Sequence, residues 1–138
     1  MKGFDMRMAA LFESVDSSGA PQIPLSRPII TDPRERRRIL MFLAGGELVV
    51  TTGYTVDQLD PVRGEVVPGS IVTDGEWIWS RACAYYLAEH GVAPEVEFLN
   101  YIRSRRYVPS TPDRKSLALA EQLLIGVTQL PTLLTTDQ

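Results

Sequence analysis

The stretch that decides the fold is Ser70-Ile-Val-Thr-Asp-Gly-Glu-Trp-Ile-Trp-Ser-Arg-Ala-Cys-Ala-Tyr-Tyr-Leu-Ala-Glu-His-Gly91. Two β-prone runs, 70–73 and 76–79, flank Asp74-Gly75, and Asp-Gly between such runs is the strongest short-range hairpin signal. Side chains alternate across a strand, so Trp77 and Trp79 share one sheet face and Ile78 takes the other. After Ser80, a candidate cap, the pattern becomes helical over 80–90 and stops at Gly91.

The flanking segments extend this core. Glu47–Thr52 is rich in β-branched residues and bounded by glycine, which predicts a strand. Before it, Asp32-Pro33-Arg34-Glu35 predicts a helix start: Asp32 caps, Pro33 suits the first turn and Glu35 can reach back as in a capping box. Ile39, Leu40, Phe42 and Leu43 give that helix an apolar face, and Gly45-Gly46 ends it. Residues 53–69 hold three acids and two prolines and read as a loop or short edge strands. Phe4, Met8, Leu11 and Phe12 predict a short helix over 4–15, followed by an extended connector over 16–30 with Pro21, Pro24 and Pro28. On the C-terminal side, Pro94 opens a helix with Val96, Phe98, Leu99 and Ile102 in period. Thr111-Pro112-Asp113 opens another over about 113–126, and 129–138 reads as a loose tail. The expectation is one domain over 1–138, with its core in 31–128. Its class is α+β: a small central antiparallel sheet of three to four short strands, packed by about four helices.

Composition narrows the function. The 138 residues are 44% apolar and 22% charged, enough for a core without disulfides or metal. The net charge of −3 argues against a nucleic-acid binder, which ordinarily carries a basic field. Cys83 is the one cysteine, so neither an internal disulfide nor a thiolate zinc site can form. No secretory signal and no run of 18 apolar residues is present, which predicts a cytoplasmic protein without membrane contact.

Catalytic patterns are absent from the sequence: no G-x-S-x-G, no P-loop and no G-x-G-x-x-G. His90, the only histidine, could pair with Cys83, but seven residues along a helix separate them by about 10 Å. Its better reading is a favourable charge in the last helical turn. Asp57, Asp60, Glu65, Asp74 and Glu76 lack the order of a calcium loop and read as solvated loop charges. No metal or cofactor is expected.

Charge distribution is more informative. Residues 57–97 carry eight acids and two bases, whereas 34–38 and 103–115 are basic. An acidic surface with an aromatic anchor suits a basic protein partner. The candidate partner-binding residues are therefore Asp57, Asp60, Glu65, Asp74 and Glu76, with Trp77 as the anchor. Two tryptophans on one sheet face more often pack under a helix, so most of the cluster Trp77, Trp79, Tyr85 and Tyr86 is expected in the core. Two rival readings stand beside this one. The same aromatics could line a small-molecule or enzyme pocket, with His90 or an acid carrying protons. Alternatively, Arg34–Arg38 and Arg103–Arg106 could contact nucleic acid.

The run from Gly69 to Arg106 resembles a group of small actinobacterial proteins with a TDG-x-W-x-W … YYL-x-x-HGV-x-PE-x-E-FL-x-x-I pattern, preceded by a DP-x-x-RRR-x-L-x-x-L helix (here Asp32–Leu43) and a G-x-L-V-V-TT strand (here Gly46–Thr52). Some members are similar to immunity proteins that neutralise polymorphic or contact-dependent toxins. The resemblance implies a non-catalytic protein that occludes the active site of a basic toxin domain. The shared positions are tryptophans, tyrosines, a hairpin and helix caps, so it carries over no site residue.

Overall fold

A computed structural model describes residues 6–10, 14–15, 21–22 and 27–136, with side chains for 6–10 and 27–125. Its elements in chain order are β1 (Arg7–Met8), β2 (Ser14–Val15), β3 (Pro21–Gln22), α1 (Pro33–Ala44), β4 (Glu47–Val50), β5 (Tyr54–Val56), a 3₁₀ turn (Pro61–Arg63), β6 (Glu65–Pro68), β7 (Ile71–Thr73), β8 (Trp77–Ser80), α2 (Ala82–His90), α3 (Val96–Ser104) and α4 (Arg114–Thr136). The class is α+β, with four helices around a four-stranded sheet of order β1-β8-β7-β4. β5 and β6 form a separate antiparallel pair, as do β2 and β3.

Three expectations are corrected. The sheet is mixed, because β1 runs parallel to β8 with Arg7 opposite Trp77. The segment read as a helix over 4–15 instead contributes β1 and β2, although Phe4, Leu11 and Phe12 lie outside the described residues. Backbone pairing with β8 satisfies these amides where a short isolated helix would be marginal. Third, α4 continues to Thr136, through most of the segment read as a loose tail.

The hairpin β7–β8 forms as expected, with Thr73 opposite Ile78. Its turn gains its main support from a side chain. Asp74 Oδ1 accepts the amides of Glu76 and Trp77 at 3.0 and 2.9 Å, and Gly75 supplies the positive φ of 97°. The alternation in β8 sorts the core. Trp77 and Trp79 pack with Phe42 of α1 and Phe98 of α3, whereas Ile78 packs on the opposite face with Ala120 and Leu124 of α4. Trp77 stacks on Phe98 at 4.9 Å, and Trp79 Nε1 donates to the Leu43 carbonyl at 3.2 Å. Such aromatic pairs add about 0.5–1.5 kcal/mol each beyond area burial.

The glycines after α1 have a reason other than the one the sequence suggests. Gly45 has an ordinary right-handed φ of −85°. A Cβ on Gly46 would lie 2.8 Å from the Trp79 ring, and one on Gly45 would lie 2.7 Å from Pro109. Close approach, not backbone freedom, excludes side chains there. Asp32 caps α1 by accepting the Arg34 amide at 2.9 Å. Glu35 does not reach back; it takes Arg103 at 2.7 and 3.1 Å and the Tyr107 hydroxyl at 2.7 Å, tying α1 to the end of α3. Ser80 Oγ accepts the Ala82 amide at 3.0 Å, and Gly91 closes α2 with φ 73°. No helix among the described residues is long and apolar enough to cross a membrane.

Candidate functional site

The six candidate residues fall into two clusters, and three of them are not at the surface. Asp57 and Asp74 are fully buried, and Trp77 is 4% exposed. This corrects their assignment to a partner-binding face: a carboxylate whose lone pairs are taken inside the fold has none to offer a partner. Glu65 and Glu76 are exposed, and the Asp60 side chain is 44% exposed.

The first cluster ties the 57–64 loop to α2. Asp57 Oδ1 accepts the amides of Leu59 and Asp60 at 2.8 and 3.0 Å. Its Oδ2 accepts the Tyr85 hydroxyl and lies 2.7 Å from His90 Nε2. A carboxylate can only accept, so Nε2 carries the hydrogen of that contact. Burial pushes the Asp57 carboxyl up, but the bonds from His90, Tyr85 and the two amides outweigh it and hold its pKa at about 2. Tyr86 continues the network by accepting the Gln58 amide at 2.9 Å. At the outer edge, Arg63 reaches Asp60 at 3.1 Å, the Tyr85 hydroxyl at 3.2 Å and Glu89 at 2.7 Å.

The second cluster is the hairpin turn. Asp74 Oδ2 accepts the Tyr101 hydroxyl at 2.6 Å and the Ser110 amide at 3.4 Å, and Glu76 accepts the Ser110 hydroxyl at 2.9 Å. Burial and the neighbouring Asp74 carboxylate push the Tyr101 phenol up. A cleft of about 370 Å³ lies between this turn and the start of α4, lined by Gly75, Ser110 and Lys115 among others.

These contacts decide what His90 does. It sits 2.7 Å from Asp57, and the sequence offered no sign of that pairing across 33 positions. Cys83 is buried, and burial pushes its thiol up to about 12, so it is not a thiolate at neutral pH. The pocket imagined between the aromatics does not open, because Trp77, Trp79 and Tyr86 are core residues. Tyr85 of that set lines the groove between α1 and α2. The Asp57–His90–Tyr85 cluster thus fastens a loop to a helix.

The open surface lies beside that loop. Between Leu48 and Val66 stand seven of the fourteen exposed large apolar side chains among the described residues: Leu48, Val50, Tyr54, Val56, Leu59, Val62 and Val66. Val62, at the tip of the 3₁₀ turn, is 94% exposed. Leu48 and Tyr54 also rim a groove of about 720 Å³ between α1 and α2, walled by Leu40, Ala84 and Ala88. Glu47 and Glu65 flank these apolar groups and make no ion pair among the described residues. β4 is moreover an edge of the main sheet. Sequence reasoning found Asp60 and Glu65 of this face and missed its apolar members; the signal was the unusual run of valines inside a loop-like segment. No family model, no curated protein and no solved structure matches the chain, so the chemistry of these residues is the guide to its role.

Proposed function

We propose that this chain is a non-catalytic binding protein that covers a basic surface of a protein partner. The observation that carries the reading is the concentration of exposed apolar side chains between Leu48 and Val66, bordered by Glu47, Asp60 and Glu65. Large exposed apolar groups within a charged rim mark an interaction surface. Val62 and Tyr54 are its anchors, and the acids accelerate encounter with a basic partner. The resemblance to immunity proteins makes a toxin domain the partner of choice, neutralised when this face blocks its active site. Such a role needs no cofactor.

The test is capture by the tagged protein from its native lysate, identified by mass spectrometry at low and high salt. The expected result is one stoichiometric basic protein, released by salt. Val62→Asp should abolish capture, and Glu47→Lys combined with Glu65→Lys should weaken it. All three positions are exposed, so the variants keep the fold. A basic partner held equally well by all three proteins would sink this choice of surface.

A further inference from the structure

The fold brings the two basic clusters of the sequence together. Residues 32–38 and 103–106 carry seven arginines against Asp32 and Glu35. The clusters are more than sixty positions apart, yet Glu35 grips Arg103 through both oxygens, and the Arg38 guanidinium lies over the Tyr107 ring at 5.6 Å. Arg105 and Arg106 sit between those two contacts in the chain, where Arg106 and Tyr107 take positive φ angles of 54° and 64°.

The two acids are already engaged. Glu35 is filled by Arg103 and Tyr107, and Asp32 caps the Arg34 amide. Arg36 is turned inward onto the Ile30 carbonyl at 2.6 Å. Arg34, Arg37, Arg38, Arg105 and Arg106 remain exposed, and none has a carboxylate partner among the described residues. Five guanidinium groups with no internal anion repel one another, so the patch is costly unless an anion joins it. Guanidinium forks match phosphate oxygens in geometry, and their charge persists at any ordinary pH.

We propose that the α1–α3 surface binds the phosphodiester backbone of nucleic acid without reading its sequence. The whole chain is acidic, but phosphate attraction is set by the local field within about one Debye length, roughly 8–10 Å. The acids of the partner-binding face lie on β4, on β6 and in the 57–64 loop rather than on α1 or α3. The phosphate site is argued from its own arginines and does not depend on the protein-partner reading.

The experiment is fluorescence anisotropy with labelled oligothymidylate and oligouridylate of about 20 nucleotides and a duplex of similar length, titrated across a salt series. The expected result is saturable binding whose logarithmic affinity falls with logarithmic salt at a slope of about −3 for the single strands. Arg34→Gln with Arg37→Gln should flatten that slope by about 1, and so should Arg105→Gln with Arg106→Gln. All four changes together should leave a slope of about −1. These side chains are exposed, and unchanged thermal melts would confirm that the variants fold. Glu121→Gln, exposed on α4, should not alter the slope. Absence of binding at low salt overturns the proposal. So does a slope indifferent to either pair, since the surface requires both clusters. Binding of polyglutamate as tight as that of the oligonucleotides would transfer the patch to an acidic protein.

Discussion

Asp57 and Asp74 are built alike and surrounded differently. Each is fully buried, each gives Oδ1 to the amides two and three residues ahead, and each gives Oδ2 to a tyrosine hydroxyl from a helix. In both, an aspartate folds its own turn and then docks that turn on a helix. The fourth donor separates them. At Asp74 it is the Ser110 backbone amide; at Asp57 it is the His90 ring nitrogen. The same device thus closes on the backbone under the hairpin and on a side chain of α2 under the 57–64 loop.

Removal of either carboxylate should produce the largest effect. Asp57→Ala and Asp74→Ala each orphan four donors, and each should cost about 3 kcal/mol or more in urea unfolding. A loss below about 1 kcal/mol at either site would mean water replaces the carboxylate there, and the likeness would fail.

Acid should then separate wild type from an Asp57 variant. The Asp57 carboxyl ionises near pH 2 in the fold, against an ordinary 3.8. Its ionised form is therefore favoured by folding. The resulting stability, about 2 kcal/mol, is complete above the unfolded value and lost as pH falls from about 5 towards 2. Urea midpoints measured across that window should show the loss in wild type and a shallower one in Asp57→Asn. Parallel curves would disprove the assignment.

The helix-borne partners should matter less. His90→Gln and Tyr101→Phe each remove one donor while the aspartate keeps three, at a cost of about 1–2 kcal/mol. A His90 variant as damaging as Asp57→Ala would make the histidine, not the turn, the centre of its cluster. Arg63→Gln should have the smallest effect. Its pairs with Asp60 and Glu89 are roughly 40% exposed and screened by water, so the thermal midpoint should shift least of all the variants.

This pairing also marks how far the sequence could be read. The hairpin, the alternation of Trp77, Ile78 and Trp79, and the caps at Asp32 and Ser80 are local patterns, and the structure contains each of them. β1 was illegible because two residues become a strand only beside β8. The acids misled for a related reason. Asp57 lies in a proline- and acid-rich segment that looks solvated, and only its four donors, two of them about thirty positions away, make burial tolerable. Glu65, with no such donors, stayed at the surface as expected.

Cys83 gives the molecule a clock. Its thiol is sealed within α2 and held near pKa 12, so it is silent towards thiol reagents while the helix is docked. Once α2 lifts away, the thiol returns to an ordinary pKa of about 8.5 and reacts. The labelling rate at neutral pH is then the opening equilibrium multiplied by the rate for a free cysteine. Because α2 also carries Tyr85 and His90, that one reaction times the release of the loop they fasten.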